Sequence, residues 1–215
     1  MTMRTDDLIR QLSTGLVPVR RVAPPWRTAL LWLALATLLV GGAVALHGFR
    51  HDIAQRVMLM EEQVNLAAAL LTGIAAAFAA FQLALPDRSP RWALLPLPFA
   101  ALWLSGLGWG CLRDLAQQGW PALSTSFGCM RFIIGFGVPL TAAMLWMARH
   151  AAPIRPGPVA ALGGLAAAAI ASVGLSLIHH LDAAAMVLIW HGGSIALVTA
   201  ASWLFGARAL RAAGP

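Results

Sequence analysis

The chain has 215 residues, 60% hydrophobic and only 11% charged, with a formal net charge of +7. A soluble domain carries roughly 45–50% apolar and about 25% charged residues, so this chain has too little polar surface to cover itself in water. Its basic residues are all arginine. With no soluble basic domain to carry it, the excess reads as a membrane-topology signal and not as direct nucleic-acid binding.

Residues 1–27 form the one sizeable polar segment. From Arg4 to Leu12 the pattern predicts a short helix. Thr5 is placed to cap its first N–H groups, Asp6 and Asp7 sit against its positive end, and Leu8, Ile9 and Leu12 share one face. So short a helix is marginal alone. It is expected to lie on a bilayer, pack on another subunit or meet a soluble partner. Pro18, Pro24 and Pro25 make an extended linker, and Trp26 and Arg27 mark an interface.

Six apolar runs follow, at about 28–46, 64–85, 92–111, 127–147, 159–178 and 183–205. Each is long enough to cross a hydrocarbon core of about 30 Å as a helix. In lipid the backbone must satisfy its own polar groups, and the alternation of a membrane barrel is absent. The expected fold is all-α and polytopic, with a tail over 1–27, a six-helix transmembrane domain over 28–206 and a short basic tail over 207–215. Pro96 and Pro98 in the third run and Pro139 in the fourth predict kinks. Gly106…Gly110 and Gly163-Gly164 permit close helix approach.

With the N-terminus inside, only Arg50, Arg56, Arg113 and Arg131 fall outside, so both termini are expected in the cytoplasm. No cleavable signal peptide is visible, and the Ala- and Leu-rich composition suggests a bacterial inner membrane. The first outer loop, 47–62, is long enough for an interfacial helix, and its mixed charge reads as a solvated face.

Cys111 and Cys129 fall at the outer boundary, one leaving the third run and one entering the fourth. Neighbouring helices of a hairpin usually touch, so the thiols could meet. Arg113 and Arg131 follow them two residues on. A nearby cation activates a thiol, but residues two apart on a helix do not face each other, and the alternative is that both arginines are headgroup anchors. His47, His51, His179, His180 and His191 also gather at the outer side, and a mixed thiolate–imidazole site would suit zinc, cadmium or copper(I). There is no phosphate loop, no Gly-x-Ser-x-Gly, no HExxH and no intramembrane acid. The missing acids argue against an ion-coupled transporter.

The chain resembles the NrsF family of bacterial six-helix inner-membrane anti-sigma factors. The carriers are Arg4-Thr5-Asp6-Asp7-Leu8-Ile9, the Pro- and Arg-rich lead into the first run, and Cys129 heading the fourth. Further on are Met144 to Trp146 through Ala151 to Pro156, then Leu177-Ile178-His179, and Trp190. The resemblance implies a non-enzymatic regulator. Its N-terminal segment, with Arg4, Thr5, Asp6, Asp7, Leu8, Ile9 and Leu12 in contact, would hold an extracytoplasmic-function (ECF) sigma factor at the bilayer. Heavy metal or oxidation at outer-facing cysteines would release it. The family's second cysteine is His180 here, so the implied sensor set is Cys129, Cys111, His179 and His180. Cys129 and His180 are the candidate ligands of a transient heavy-metal ion, and no resident cofactor is implied. The competing reading is a membrane oxidoreductase working through the thiols, or through haem held by His179 and His191.

Overall fold

The computed structural model describes residues 4–14, 22–118, 127–151, 153–178 and 188–212. Helix α1 (Thr5–Ser13) comes first, with Asp6 and Asp7 in its first turn and no buried residue. Its N-cap is Arg4, extended and without a side-chain cap, so Thr5 does not cap the helix but opens it. The Arg4 carbonyl already accepts from the N–H groups of Asp7 and Leu8, at 3.0 and 3.2 Å, which starts the helix one residue too early for the Thr5 hydroxyl to reach a free N–H.

The spans follow as α2 (Pro25–His47), a single turn α3 (Ile53–Arg56), α4 (Met60–Leu83), α5 (Leu97–Gln118), α6 (Phe127–Ala148), α7 (Pro156–Ile178) and α8 (Ile189–Ala212). All but α3 are long and apolar enough to cross a membrane, which makes six spans. No strand occurs among the described residues. Pro96 and Pro98 do not bend a continuous helix. A 3-10 turn over Pro90–Leu94 ends before them and α5 starts between them, where a proline's missing N–H costs nothing. Pro139 does lie inside α6. The last span alternates π turns, Leu188–Gly192 and Ser202–Gly206, with α turns, Gly193–Ala201 and Ala207–Ala212. Ala207 and Leu210 are buried, so the helix continues through residues read from sequence as a tail.

Helix α7 is the centre. It packs on α2, α4, α6 and α8, and Ala166 to Ala169 are fully buried in succession. A helix buried on all sides needs small residues all round. Helix α5 is peripheral, lying on α4 and the start of α8, whereas α6 lies on α7, α8 and α2. The hairpin neighbours α5 and α6 therefore share at most a marginal contact among the described residues. Outward-facing Leu31, Leu38, Leu104, Val138, Leu197 and Leu204 give the bundle an apolar exterior, as hydrocarbon solvent requires.

Val22, Ala84 and Ala151 line one notch at the end that carries the termini. Arg27 over Trp26, Arg149 over Trp146 and Arg208 over Phe205, at 5.0, 4.7 and 5.9 Å, ring that same end. Within the core, the fully buried Trp32 of α2 donates from Nε1 to the Leu140 carbonyl of α6 at 2.9 Å. Trp32→Phe keeps most of the volume and loses this bond. It should cost about 1 kcal/mol of bundle stability, read by unfolding of the reconstituted protein.

Candidate functional site

At the far end, opposite the termini, the structure places the two thiols differently. Cys129 stands in the first turn of α6 and is 1% exposed. It shares an apolar cluster with Ile133, Ala168, Leu175 and Val198, flanked by Phe132, Ile178 and Trp190. Cys111 sits near the end of α5 and is half-buried. Neither forms a disulfide. His179 and His180 lie outside the described residues. They follow directly on Ile178, which belongs to the cluster around Cys129. Among the described residues no three His, Cys, Asp or Glu side chains converge as a metal-ligand set.

The arginines beside the thiols part company as well. Arg113 pairs with Glu61 of α4 at 2.9 Å, while Arg131 is exposed. Arg113 thus ties α5 to α4 instead of serving Cys111 or acting only as a headgroup anchor.

Most of the first far-end loop is exposed, as a solvated face would be, but its charges are paired and Arg50 is buried. Arg50 is 7% exposed, and its backbone N–H donates to the Leu177 carbonyl at the end of α7, 3.0 Å away. That bond folds the loop back onto the bundle. Gly48, at φ 79°, supplies the left-handed turn that lets the chain leave α2 and fold over. Arg50 then holds Asp52 through Nε and a terminal nitrogen, at 2.5 and 2.8 Å. These bonds keep the Asp52 carboxyl far below the usual carboxylate range, so the pair stays ionised at physiological pH. Arg56 bridges Asp52 at 3.5 Å and Glu62 at 2.6 Å.

Beneath this network lies a cavity of about 200 Å³, lined by Arg50, Arg56, Glu61, Glu62 and Arg113 above. Asn65, Trp103, Gly106, Ser172 and His191 line it further down. His191, on the first π turn of α8, is 4% exposed and meets the Ser172 hydroxyl of α7 through Nδ1 at 3.1 Å. The Asn65 side-chain oxygen is buried with no hydrogen-bond partner in the protein. It rests against Gly106, where an added Cβ would come within 2.0 Å of it. Asn65, Ser172 and Gly106 were not singled out together from sequence, because they stand on three different spans and only packing unites them. The one advance signal was an amide near the head of an otherwise apolar run.

At the other end, α1 turns Leu8, Ile9 and Leu12 to the outside, 42%, 60% and 66% exposed. A family profile described as "Negative regulator of sigma F" matches residues 12–211. The chain belongs to the NrsF family. Among curated proteins, the "Probable anti-sigma-F factor NrsF" of Azospira oryzae is 29% identical over 181 residues, which span 80% of this chain and 82% of that one. No solved structure matches the chain. The NrsF match takes in all six spans and the whole far-end network, while most of α1 precedes it.

Proposed function

We propose that this NrsF-family chain is a membrane anti-sigma factor. In this reading it holds an ECF sigma factor at the bacterial inner membrane through residues 1–27 and frees it when a heavy metal or an oxidant acts at the far end. The family match across all six spans carries the reading. The amphipathic α1 supports it: an apolar face formed by Leu8, Ile9 and Leu12 with Asp6 and Asp7 beside it is what a helix-in-groove contact with a basic partner uses. Arg4 and Thr5 complete the docking segment. The ring of arginine–aromatic pairs suits the cytoplasmic headgroup level, where arginine is favoured, and so supports termini inside and the far end in the periplasm.

Such a protein works by binding, not by chemistry. A signal must favour one arrangement of the bundle over another, and the partner must bind only one of them. Cys129 is the proposed sensor, with His180 and His179 as the groups a thiophilic ion would join to it; Cys111, on α5, would reach it for a disulfide only after α5 and α6 close together. The burial of Cys129 means that the signal needs the head of α6 to open. That opening links the far end to α7 and through it to the rest of the core.

Tagged full-length chain purified from its own host should bring an ECF sigma factor with it, and purification without any sigma factor removes the reading. For the sensor, Cys129→Ser should abolish the sigma-dependent response of cells to cadmium. Serine brings a hydroxyl into an apolar cluster at about 1 kcal/mol or more, so Cys129→Ala serves beside it. An induction profile identical to the parent in both variants rules out a thiol role.

A further inference from the structure

The far-end cavity takes no part in the docking or thiol chemistry above. We propose that it is a binding site for a small zwitterion of the amino-acid type. Its volume is about 200 Å³, room for a small polar molecule. A ligand of about the size of a small amino acid fits that space.

Charge selects within that size. The wall alternates guanidinium and carboxylate: Arg50, Arg56 and Arg113 with Glu61 and Glu62. All three arginines are already in ion pairs, with Asp52, Glu62 and Glu61. A plain anion would have to displace a carboxylate and stay beside it. A plain cation would meet three guanidiniums. A molecule carrying both charges inserts into a pair and satisfies each half. Arg113–Glu61 is the pair to open, because its side chains are 45% and 61% exposed and an exposed pair contributes little by itself.

Asn65 gives the second, independent indication. Its buried oxygen has no partner in the protein, and a buried amide without a partner is costly. That oxygen is closed in against Gly106, so a ligand meets the amide by drawing it round into the cavity, where its donor or acceptor side faces the ammonium or the carboxylate. Deeper in, the Ser172–His191 pair makes the wall polar and Trp103 gives an apolar plate for a small side chain. The site is built from α4, α5, α7 and α8 together, so a ligand here bridges the central helix and its neighbours.

The test uses full-length protein in nanodiscs, titrated with glycine, L-alanine and L-serine. Acetate and methylammonium serve as the two half-ligands. Binding is read by tryptophan fluorescence and by thermal shift. A ligand this small binds in about the micromolar to millimolar range. At least one amino acid should saturate below about 10 mM while neither half-ligand does. Arg113→Gln and Asn65→Leu should each weaken binding about tenfold or more, and Arg131→Gln, exposed at the same end but off the cavity, should leave it unchanged. Arg113 is exposed, so its variant keeps the test decisive where Asn65→Leu fails to fold. No saturation by any of the three amino acids, acetate binding as tightly as they do, or parental affinity in Arg113→Gln overturns the proposal. None of these readouts involves a sigma factor, so the result stands apart from the anti-sigma reading.

Discussion

A chain carrying Asp6→Arg and Leu8→Asp together should lose its sigma factor while its six-helix bundle stays intact. The second half of that expectation rests on α1 having no buried residue, so substitutions there take nothing from the core. The first half rests on what a partner would use. Burying a leucine contributes about 1.5–3 kcal/mol, and Leu8→Asp removes that and brings a charge into the contact. Asp6→Arg reverses the sign facing a basic partner and sets a cation against the positive end of the helix. Together these amount to an affinity loss of about a hundredfold or more. Two readouts check it: co-purification of the sigma factor, which should vanish, and a sigma-dependent reporter, which should be on without any stress. Arg10→Ala, on the face opposite Leu8, should change neither. Full co-purification with the double variant would move docking off α1 and onto the loops at the termini end.

The spans were legible because each is an uninterrupted apolar run longer than a bilayer core, and hydrophobicity is local in sequence. Boundaries blurred where local signals conflicted. Arg208 and Arg211 made residues 207–212 look like a solvated tail, yet Leu210 turns inward and Arg208 lies over Phe205, so the helix simply runs on. Pro96 and Pro98 were legible as breakers, but whether a breaker bends a helix or starts one depends on the 3-10 turn before it. The far-end cavity was the least legible part. Arg50 reads as one more loop charge until its backbone is seen on the Leu177 carbonyl, more than a hundred residues away. Asn65 has meaning only beside Gly106, and Ser172 only beside His191. The position of Cys129 was readable as the head of a span, but its burial was not, because that follows from how α6 leans on α7 and α8.

Gly164→Ala should destabilise the bundle by about 1–3 kcal/mol, although alanine is the better helix former by about 1 kcal/mol. A Cβ at Gly164 of α7 would come within 2.9 Å of the Ser202 Cβ and 3.0 Å of the Val198 carbonyl oxygen, both on α8. The Ser202 hydroxyl is itself bonded to that carbonyl at 2.6 Å, at the mouth of the second π turn. Backbone cannot swing aside as a side-chain tip can, so the helices must separate. Gly163→Ala next door meets only the Met144 sulfur at 3.0 Å, at the flexible end of an unbranched side chain, and should cost less. Gly135→Ala on α6 meets nothing within 4 Å and should be neutral or mildly stabilising. Unfolding of the three variants in the same lipid separates the causes. Helix propensity alone would raise all three equally, whereas close packing orders them Gly164, Gly163, Gly135 from most to least damaging. Equal effects at Gly164 and Gly135 would mean that α7 and α8 do not meet as closely as Gly164 requires. The same helix lines the far-end cavity through Ser172 and packs on Cys129 through Ala168 and Leu175. A Gly164 variant that stays folded should therefore also change the rate at which an alkylating reagent reaches the Cys129 thiol, which a purely local fault would leave untouched.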